Sequence, residues 1–105
     1  MVNEFLQYLQ YEKNYSFHTV LSYRTDLYQF CDFLVIKPQE INPININSQQ
    51  IQQWTLLLIS TKISARSLSR KISTLKSFWK FLLVRGLATQ DPTLKIILPK
   101  TKKPI

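Results

Sequence analysis

The chain has 105 residues, of which 45% are hydrophobic and 12% aromatic, and it carries a formal net charge of +8. This length and composition predict one folded domain, exclude a disordered chain and leave little room for an enzyme with a substrate cleft. With one Cys and one His, no intramolecular disulfide, metal site or other cofactor is expected. No apolar run is long enough for a membrane span, and the acidic amino terminus is unlike a signal peptide, so the sequence predicts a soluble cytoplasmic protein.

The charge is unevenly distributed along the chain. Residues 1–40 hold three cations and five acids, whereas residues 41–105 hold eleven cations and one acid, Asp91. No acid occurs between Ile41 and Gln90. Such an asymmetry indicates a polyanionic partner, either nucleic acid or an anionic membrane.

Apolar residues recur at helical spacing and predict an all-α fold, a small bundle of four main helices plus a short fifth. Asn3 is the predicted N-cap of the first helix, which extends to about Lys13. Ser16 caps the second helix, which extends to about Val35 or Ile36 and carries a broad apolar face.

The third helix follows a loop over residues 37–47 that contains Pro38 and Pro43. Asn47 or Ser48 is its predicted cap. Its predicted inward-facing residues are Ile51, Trp54, Leu57 and Leu58, with Ile59 as a further candidate.

Ser64 caps the fourth and longest helix, which runs from Ala65 to about Arg85, and Gly86 suits a left-handed residue after it. The short fifth element begins after Gly86 at a cap followed by proline. The helical domain is therefore predicted over residues 1–98. A basic, proline-flanked linker follows over residues 99–105.

The fourth helix divides into two faces when its residues are placed at intervals of about 100°. The predicted core stripe consists of Ala65, Leu68, Ile72, Leu75, Trp79 and Leu82. The opposite side is a continuous line of Arg66, Arg70, Ser73 and Ser77, flanked by Ser69, Thr74 and Lys80. Lys71 lies towards the edge of the apolar side.

The polar line of the fourth helix contains cations and small hydroxyls but no acid. Serine and threonine are mediocre helix formers, so several of them on one exposed line reduce helix stability without improving solubility. Beside DNA they let the backbone approach closely while arginine and lysine reach phosphates or base edges. Such a face predicts strongly salt-dependent binding, with a log–log slope on the order of −5.

The start of the second helix supplies further candidate contacts. His18, Thr19 and Ser22 lie on the side away from the apolar stripe. Arg24 lies closer to the apolar side, where it could contact DNA, pair with Asp26 or Glu12, or extend along the surface.

Two other partners remain open from the residues alone. An anionic membrane would need a free apolar helix face, which a domain of this size needs for its own core. Alternatively, the chain is a helical protein-interaction domain whose basic face binds an acidic partner.

Two stretches carry a joint pattern, residues 12–34 and residues 64–100. The first contains Thr19-x-x-x-Tyr23-x-x-Asp26-Leu27-x-x-Phe30, and the second contains the Ser/Arg/Lys-rich helix, Asp91-Pro92-Thr93 and Leu98-Pro99-Lys100. In this order and spacing they resemble the N-terminal core-binding domain of tyrosine recombinases, in particular the Xer type and related phage or element integrases. The resemblance covers nearly the whole chain.

The resemblance implies a SAM-like helical bundle that clamps one face of a DNA duplex at the recombination core site. In that family the second and fourth helices cross the major groove, and a basic linker passes along the DNA to a catalytic domain. The candidate DNA-binding residues that match by position are Thr19, Ser22, Arg24, Arg66, Arg70, Lys71, Ser73, Thr74 and Ser77. His18, Lys80 and the linker residues Lys100, Lys102 and Lys103 complete the predicted set.

The resemblance also implies what the parent protein does. It would break and rejoin double-stranded DNA through a 3′-phosphotyrosyl intermediate, without a metal or energy cofactor, in a complex of several recombinase subunits. The family's catalytic residues belong to a C-terminal domain that begins where this sequence stops, so the fragment is expected to be monomeric, to bind DNA and to cut nothing. The first helix could contact a neighbouring subunit, or its apolar residues could simply pack. Chromosome dimer resolution and mobile-element integration both stay open as roles of the parent.

The five tyrosines, Tyr8, Tyr11, Tyr15, Tyr23 and Tyr28, all lie in the first two predicted helices. None has an Arg–His constellation nearby in the sequence. They are predicted to be packing or interface aromatics, and none is assigned as a nucleophile.

Overall fold

The structure, a computed structural model, describes residues 1–96. Those residues form four α-helices and no strand, which confirms the all-α prediction. The helices are α1 (Val2–Gln7), α2 (Phe17–Phe33), α3 (Ser48–Ser60) and α4 (Ala65–Val84). Helix α1 continues as a π-helical turn over Tyr8–Glu12, and two 3₁₀ turns, Pro38–Glu40 and Pro43–Asn45, lie in the predicted loop before α3.

Helix α1 begins earlier than predicted. Its N-cap is Met1 rather than Asn3, so Asn3 lies within the first turn, and the cap prediction is wrong. The predicted break after Lys13 is present, because Asn14 adopts a φ of 54° in the left-handed region. Asparagine tolerates this region better than most residues, so it suits the reversal between the π-helical turn and α2.

Helix α2 begins after Ser16 as predicted but ends at Phe33, earlier than expected. Val35 adopts a φ of 58°, and the Ile36 N–H donates to the Cys31 carbonyl at 3.0 Å. The Val35 N–H donates to the Asp32 carbonyl, also at 3.0 Å. These two hydrogen bonds form a Schellman motif, which ends the helix where its pattern of apolar residues would have continued.

Helix α3 has the capping box that its first residues allow. The Asn47 side chain accepts from the Gln50 N–H, and the Gln50 side chain accepts from the Asn47 N–H, both at 2.9 Å. Ile51 and Trp54 are buried as predicted, but Leu57 is 47% exposed. The prediction that Leu57 faces inward is therefore wrong.

The other residues of α3 that were predicted to face inward also differ in burial. Leu58 is partly buried against the core, whereas Ile59 is 43% exposed and Leu56 is 56% exposed. Thr55 is buried instead, and its hydroxyl donates to the Ile51 carbonyl at 2.9 Å. A threonine can occupy this core position because its single donor is satisfied within its own helix.

Helix α4 forms the centre of the domain and packs against both α2 and α3. Leu68, Ile72, Leu75, Trp79 and Leu82 are buried as the helical wheel predicts. Phe78 and Phe81 widen the buried stripe and contact Phe5 of α1 in an aromatic cluster, with ring centroids 5.3 and 5.4 Å from that of Phe5. Most of the circumference of α4 is thereby used for packing, and a narrow polar side stays exposed.

Two further features of the fold bear on function. Burial raises the pKa of the Cys31 thiol to about 11, so this cysteine is neutral and unreactive near neutral pH.

Within residues 1–96, none of the helices has the length and apolar character of a membrane span.

After α4, Gly86 adopts a φ of 72° as predicted, and the chain turns back towards the core. The described part of the predicted fifth helix consists of turns over residues 91–96, in which the Thr93 N–H donates to the Asp91 carboxylate at 2.9 Å. Thr93 and Ile96 are buried, so this segment closes one end of the bundle. The last residues of that element and the predicted linker, with Lys100, Lys102 and Lys103, lie outside the described residues.

Candidate nucleic-acid interface

The polar side of α4 is accessible along the length of the helix. Arg66, Ser73 and Lys80 are exposed, and Ser77 is half-buried. Among the described residues, no acid lies within ion-pair distance of Arg66 or Lys80. Their charges are therefore available to a partner.

Arg70 lies on the same side but is held by α2. Its Nε donates to Oδ2 of Asp26 at 3.3 Å, and its Nη2 donates to Oδ1 at 3.0 Å. The Asp26 side chain is fully buried, whereas the Arg70 side chain is 49% exposed. One edge of the guanidinium thus faces the protein, while the rest of the side chain reaches solvent.

Lys71 and Thr74, two of the predicted DNA contacts, lie inside the protein, although the helical wheel places Thr74 beside the polar line. Lys71 is 8% exposed and Thr74 is 1% exposed. The Lys71 Nζ donates to Oδ1 of Asp26 at 3.0 Å and also to the side chain of Gln29, and the Thr74 hydroxyl donates to Oδ2 of Asp26 at 2.9 Å. A buried carboxylate is stable only with such partners, and this need draws both side chains inward.

The candidates on α2 lie at its exposed first turns. The Ser16 hydroxyl caps the helix by accepting from the Thr19 N–H at 3.2 Å, and the Thr19 hydroxyl lies 2.9 Å from it. The Ser22 hydroxyl donates to the His18 carbonyl at 3.1 Å. His18 is exposed, with its ring beside that of Phe17. These contacts fix Thr19 and Ser22 locally and leave the His18 ring the most accessible of the three.

Arg24 makes none of the ion pairs that the sequence suggested. Its guanidinium lies over the ring of Tyr28, 4.9 Å from the ring centroid. Asp26 is occupied by Arg70 and Lys71, and Glu12 pairs with Arg85 at 2.8 Å. Arg24 therefore stays on the surface, supported by an aromatic ring one turn further along α2.

Tyr23 does not have the environment of a nucleophile. The pKa of Tyr23 is raised, chiefly because burial disfavours the phenolate and also because the hydroxyl of Tyr15 is close. A raised pKa is the opposite of the activation that a nucleophile needs. Within residues 1–96 no group of His, Cys, Asp and Glu side chains could hold a metal ion.

A cleft with a volume of about 450 Å³ lies between the segment before α3 and the segment after α4. Asp91 and Lys95 are its charged lining residues. It contains neither histidine nor cysteine and has one carboxylate, so it lacks the paired groups of an acid–base or nucleophilic site.

Sequence reasoning missed the residue that organises this surface. The sequence presents Asp26 as a motif residue and as a possible partner for Arg24, but the residue lies on the buried stripe of α2 beside Leu27 and Phe30. An acid at an apolar position of a helix requires buried partners. The pair Arg70-Lys71 on α4, with Thr74 one turn later, was the available signal for them.

The chain belongs to the phage integrase family, because the family described as "Phage integrase, N-terminal SAM-like domain" matches residues 2–86. Among the curated relatives, "Tyrosine recombinase XerC" of Oceanobacillus iheyensis is 41% identical over 105 residues. "Tyrosine recombinase XerD" of Rickettsia bellii is 36% identical over 99 residues, and that of Staphylococcus saprophyticus is 40% identical over 101 residues. The resemblance to Xer-type tyrosine recombinases that the sequence motifs indicated is thereby confirmed.

These matches define which part of a recombinase the chain represents. They cover 94–99% of this chain but only 32–34% of each relative. The chain therefore spans about a third of the length of the relatives and corresponds to the N-terminal domain, so the catalytic domain of the family is not among these 105 residues. No solved structure matches the chain significantly.

Proposed function

We propose that this domain binds double-stranded DNA through the exposed polar side of α4 and the first turns of α2, and that it clamps the duplex at the core site of a tyrosine recombinase. The observation that carries the proposal is the side of α4 that presents Arg66, Arg70, Ser73, Ser77 and Lys80. Its only acidic neighbour, within the described residues, is the buried Asp26.

The charge of this surface favours a polyanion. Asp26 carries one negative charge and is shared by Arg70 and Lys71, so the cluster keeps an excess of one positive charge. Arg66 and Lys80 add two charges that have no acidic partner among residues 1–96. The serines between them are small enough to let the helix backbone approach a groove.

Two elements contribute to the proposed surface. Asp26 on α2 binds two cations of α4, which fixes the outer sides of the two helices relative to each other. His18, Thr19, Ser22 and Arg24 on α2 would then contact the backbone beside the groove that receives α4. The linker residues Lys100, Lys102 and Lys103 would follow the DNA towards the catalytic domain.

The wider function of the parent follows the same proposal. A protein that contains this domain would cut and rejoin DNA through its catalytic domain, together with other recombinase subunits on the same DNA. It would act in the cytoplasm, where its DNA substrate is located. The isolated domain would bind as a monomer and would not cleave.

The alternative is a helical interaction domain whose basic face binds an acidic protein. The family relationship favours DNA, since the curated relatives are named as recombinases. A measured preference separates the two, because an acidic-partner domain would bind duplex DNA no better than heparin of equal charge.

The test is a gel-shift titration of this chain with a duplex of about 30 base pairs at moderate salt. Arg66→Ala removes a cation that has no intramolecular ion pair, so we expect affinity to fall about five- to tenfold without loss of thermal stability. Lys37→Ala is the matched control, because it removes the same charge from the exposed loop after α2. Equal affinity of the Arg66→Ala variant and the wild type would contradict the proposed surface.

A further inference from the structure

The two arginines on the polar line of α4 differ in freedom. Arg66 has no side-chain partner among the described residues, so its guanidinium can rotate towards any nearby phosphate. Arg70 is fixed by two hydrogen bonds to one carboxylate, from Nε and Nη2 to the two oxygens of Asp26. The two residues are thus suited to different kinds of contact.

The fixed carboxylate determines where the free edge of Arg70 points. A guanidinium is planar and has five N–H donors, and the pair with Asp26 uses the edge formed by Nε and one hydrogen of Nη2. The remaining hydrogen of Nη2 and one hydrogen of Nη1 form the outer edge, directed away from the buried carboxylate. The side chain is 49% exposed, so this outer edge is accessible.

Asp26 cannot rotate to follow a moving arginine. Its Oδ1 accepts from the Lys71 Nζ at 3.0 Å, and its Oδ2 accepts from the Thr74 hydroxyl at 2.9 Å. Lys71 is itself held by Gln29 on α2. Lys71 and Thr74 therefore hold the carboxylate in place independently of Arg70. Arg70 in turn loses its side-chain freedom during folding rather than on binding a partner.

We propose that Arg70 is a specificity-determining residue, which reads a guanine in the major groove with the outer edge of its guanidinium, and that Asp26 is the positioning residue behind it. This inference rests on the proposed function. Two coplanar N–H donors match the O6 and N7 acceptors of guanine, and no other base pair presents that pair of acceptors to the major groove. Ser73, on the same exposed line, is small enough to let the base edge come close.

A phosphate could also accept two hydrogen bonds from this edge, and the experiment separates the two contacts. The chain is used to select duplexes from a randomised pool, once as wild type and once as Arg70→Lys. We expect the wild type to enrich a guanine at one position, by about tenfold over the other bases. We expect Arg70→Lys to reduce that preference severalfold, because the lysine ammonium has no planar fork that Asp26 could hold in register with the O6 and N7 acceptors. Arg85→Lys is the control, since it makes the same chemical change at an arginine paired with Glu12.

Replacement of the selected guanine by 7-deazaguanine tests the contact directly. This base lacks the N7 acceptor, so wild-type affinity should fall about fivefold, whereas the affinity of Arg70→Lys should fall clearly less. A phosphate contact predicts the opposite pattern: Arg70→Lys would then weaken binding to all sequences alike, and 7-deazaguanine would have no effect on the wild type.

Asp26→Asn tests the positioning role. Asparagine offers one acceptor oxygen where Asp26 has two, so Arg70 is released, and the cluster gains one net positive charge. We expect the guanine preference to fall severalfold while affinity for duplexes without that guanine stays equal or rises. A purely structural role of Asp26 predicts that both affinities fall together, in parallel with the melting temperature.

These experiments distinguish a failure of guanine recognition by Arg70 from a failure of DNA binding by the domain. Duplex binding without a guanine preference, or a preference that is undiminished in Arg70→Lys, overturns the inference and leaves the DNA-binding function in place. No duplex binding by the wild type overturns the proposed function, and the inference with it.

Discussion

Val35 is a β-branched residue in the left-handed region, with a φ of 58° immediately after the C-cap of α2. Such a conformation costs an L-residue about 1–2 kcal/mol, and glycine avoids most of this cost. The Val35 side chain is 87% exposed, so it contributes little packing in return. The chain uses glycine at the equivalent position after α4, where Gly86 has a φ of 72° and ends that helix without strain.

We therefore expect Val35→Gly to raise the free energy of unfolding by about 0.5–1 kcal/mol. The gain is smaller than the local strain, since glycine also increases the entropy of the unfolded chain. Urea denaturation followed by circular dichroism measures it. Leu34→Gly is the comparison, because Leu34 has a right-handed φ of −78° and should lose stability. A loss of stability in Val35→Gly would show that this turn is not strained.

At the scale of elements, α2 and α4 are joined by a buried ionic cluster as well as by apolar contacts. Asp26 supplies the acid, and Arg70, Lys71 and Thr74 supply the donors. The cluster fixes the rotation of each helix about its own axis, because its hydrogen bonds form only when Asp26 and Lys71 face each other. It thereby decides which side of α4 remains outside.

Removing one partner should cost more than removing both. Asp26→Ala leaves the Lys71 ammonium unpaired at 8% exposure, and we expect unfolding free energy to fall by about 3–5 kcal/mol. The double variant Asp26→Ala/Lys71→Met should recover at least half of that loss, because no buried charge then remains. Chemical denaturation of the two variants and of Lys71→Met alone gives the coupling energy. A double variant no more stable than Asp26→Ala would contradict this account.

At the scale of the molecule, charge is divided between segments. The first 40 residues contribute more acids than cations, and the acid-free segment from Ile41 to Gln90 contains all of α3 and α4. Two acids of the first segment are neutralised by contact with the second: Asp26 pairs with Arg70 and Lys71, and Glu12 pairs with Arg85. On the exposed side of α4, Arg66 and Lys80 keep charges that no acid of residues 1–96 pairs with.

This distribution predicts the salt dependence of binding to duplex DNA. Five phosphate contacts correspond to a slope of about −4 to −5 in a plot of log affinity against log salt concentration. Lys71 is buried and is not counted among these contacts, so we expect a slope near −4 rather than −5. Fluorescence anisotropy between 50 and 300 mM salt gives the slope, and Arg66→Ala should reduce its magnitude by about one. A slope near zero would exclude phosphate contacts as the source of affinity.

Much of the architecture could be predicted because it depends on local patterns. The caps Ser16, Asn47 and Ser64 begin their helices as expected, since each cap bonds to a residue three positions later. The ends were harder: α2 ends early because Val35 turns left-handed, which its sequence does not favour. The exposure of Leu57 could not be predicted either, since α3 packs against the bundle through a narrower stripe than its apolar residues suggest.

The amino-acid sequence by itself determined the helical class, the acid-free polar line of α4 and the relationship to Xer-type recombinases, because periodicity, charge and motif spacing are properties of the chain. Only the tertiary structure decided which cations on α4 face outward. The sequence predicts DNA contacts from Lys71 and Thr74, but the packing of α2 brings Asp26 against both side chains. The partners of the buried carboxylate lie 44 to 48 residues away in the sequence and meet it only when α2 packs against α4. A helical wheel treats one helix at a time, so it cannot show these contacts.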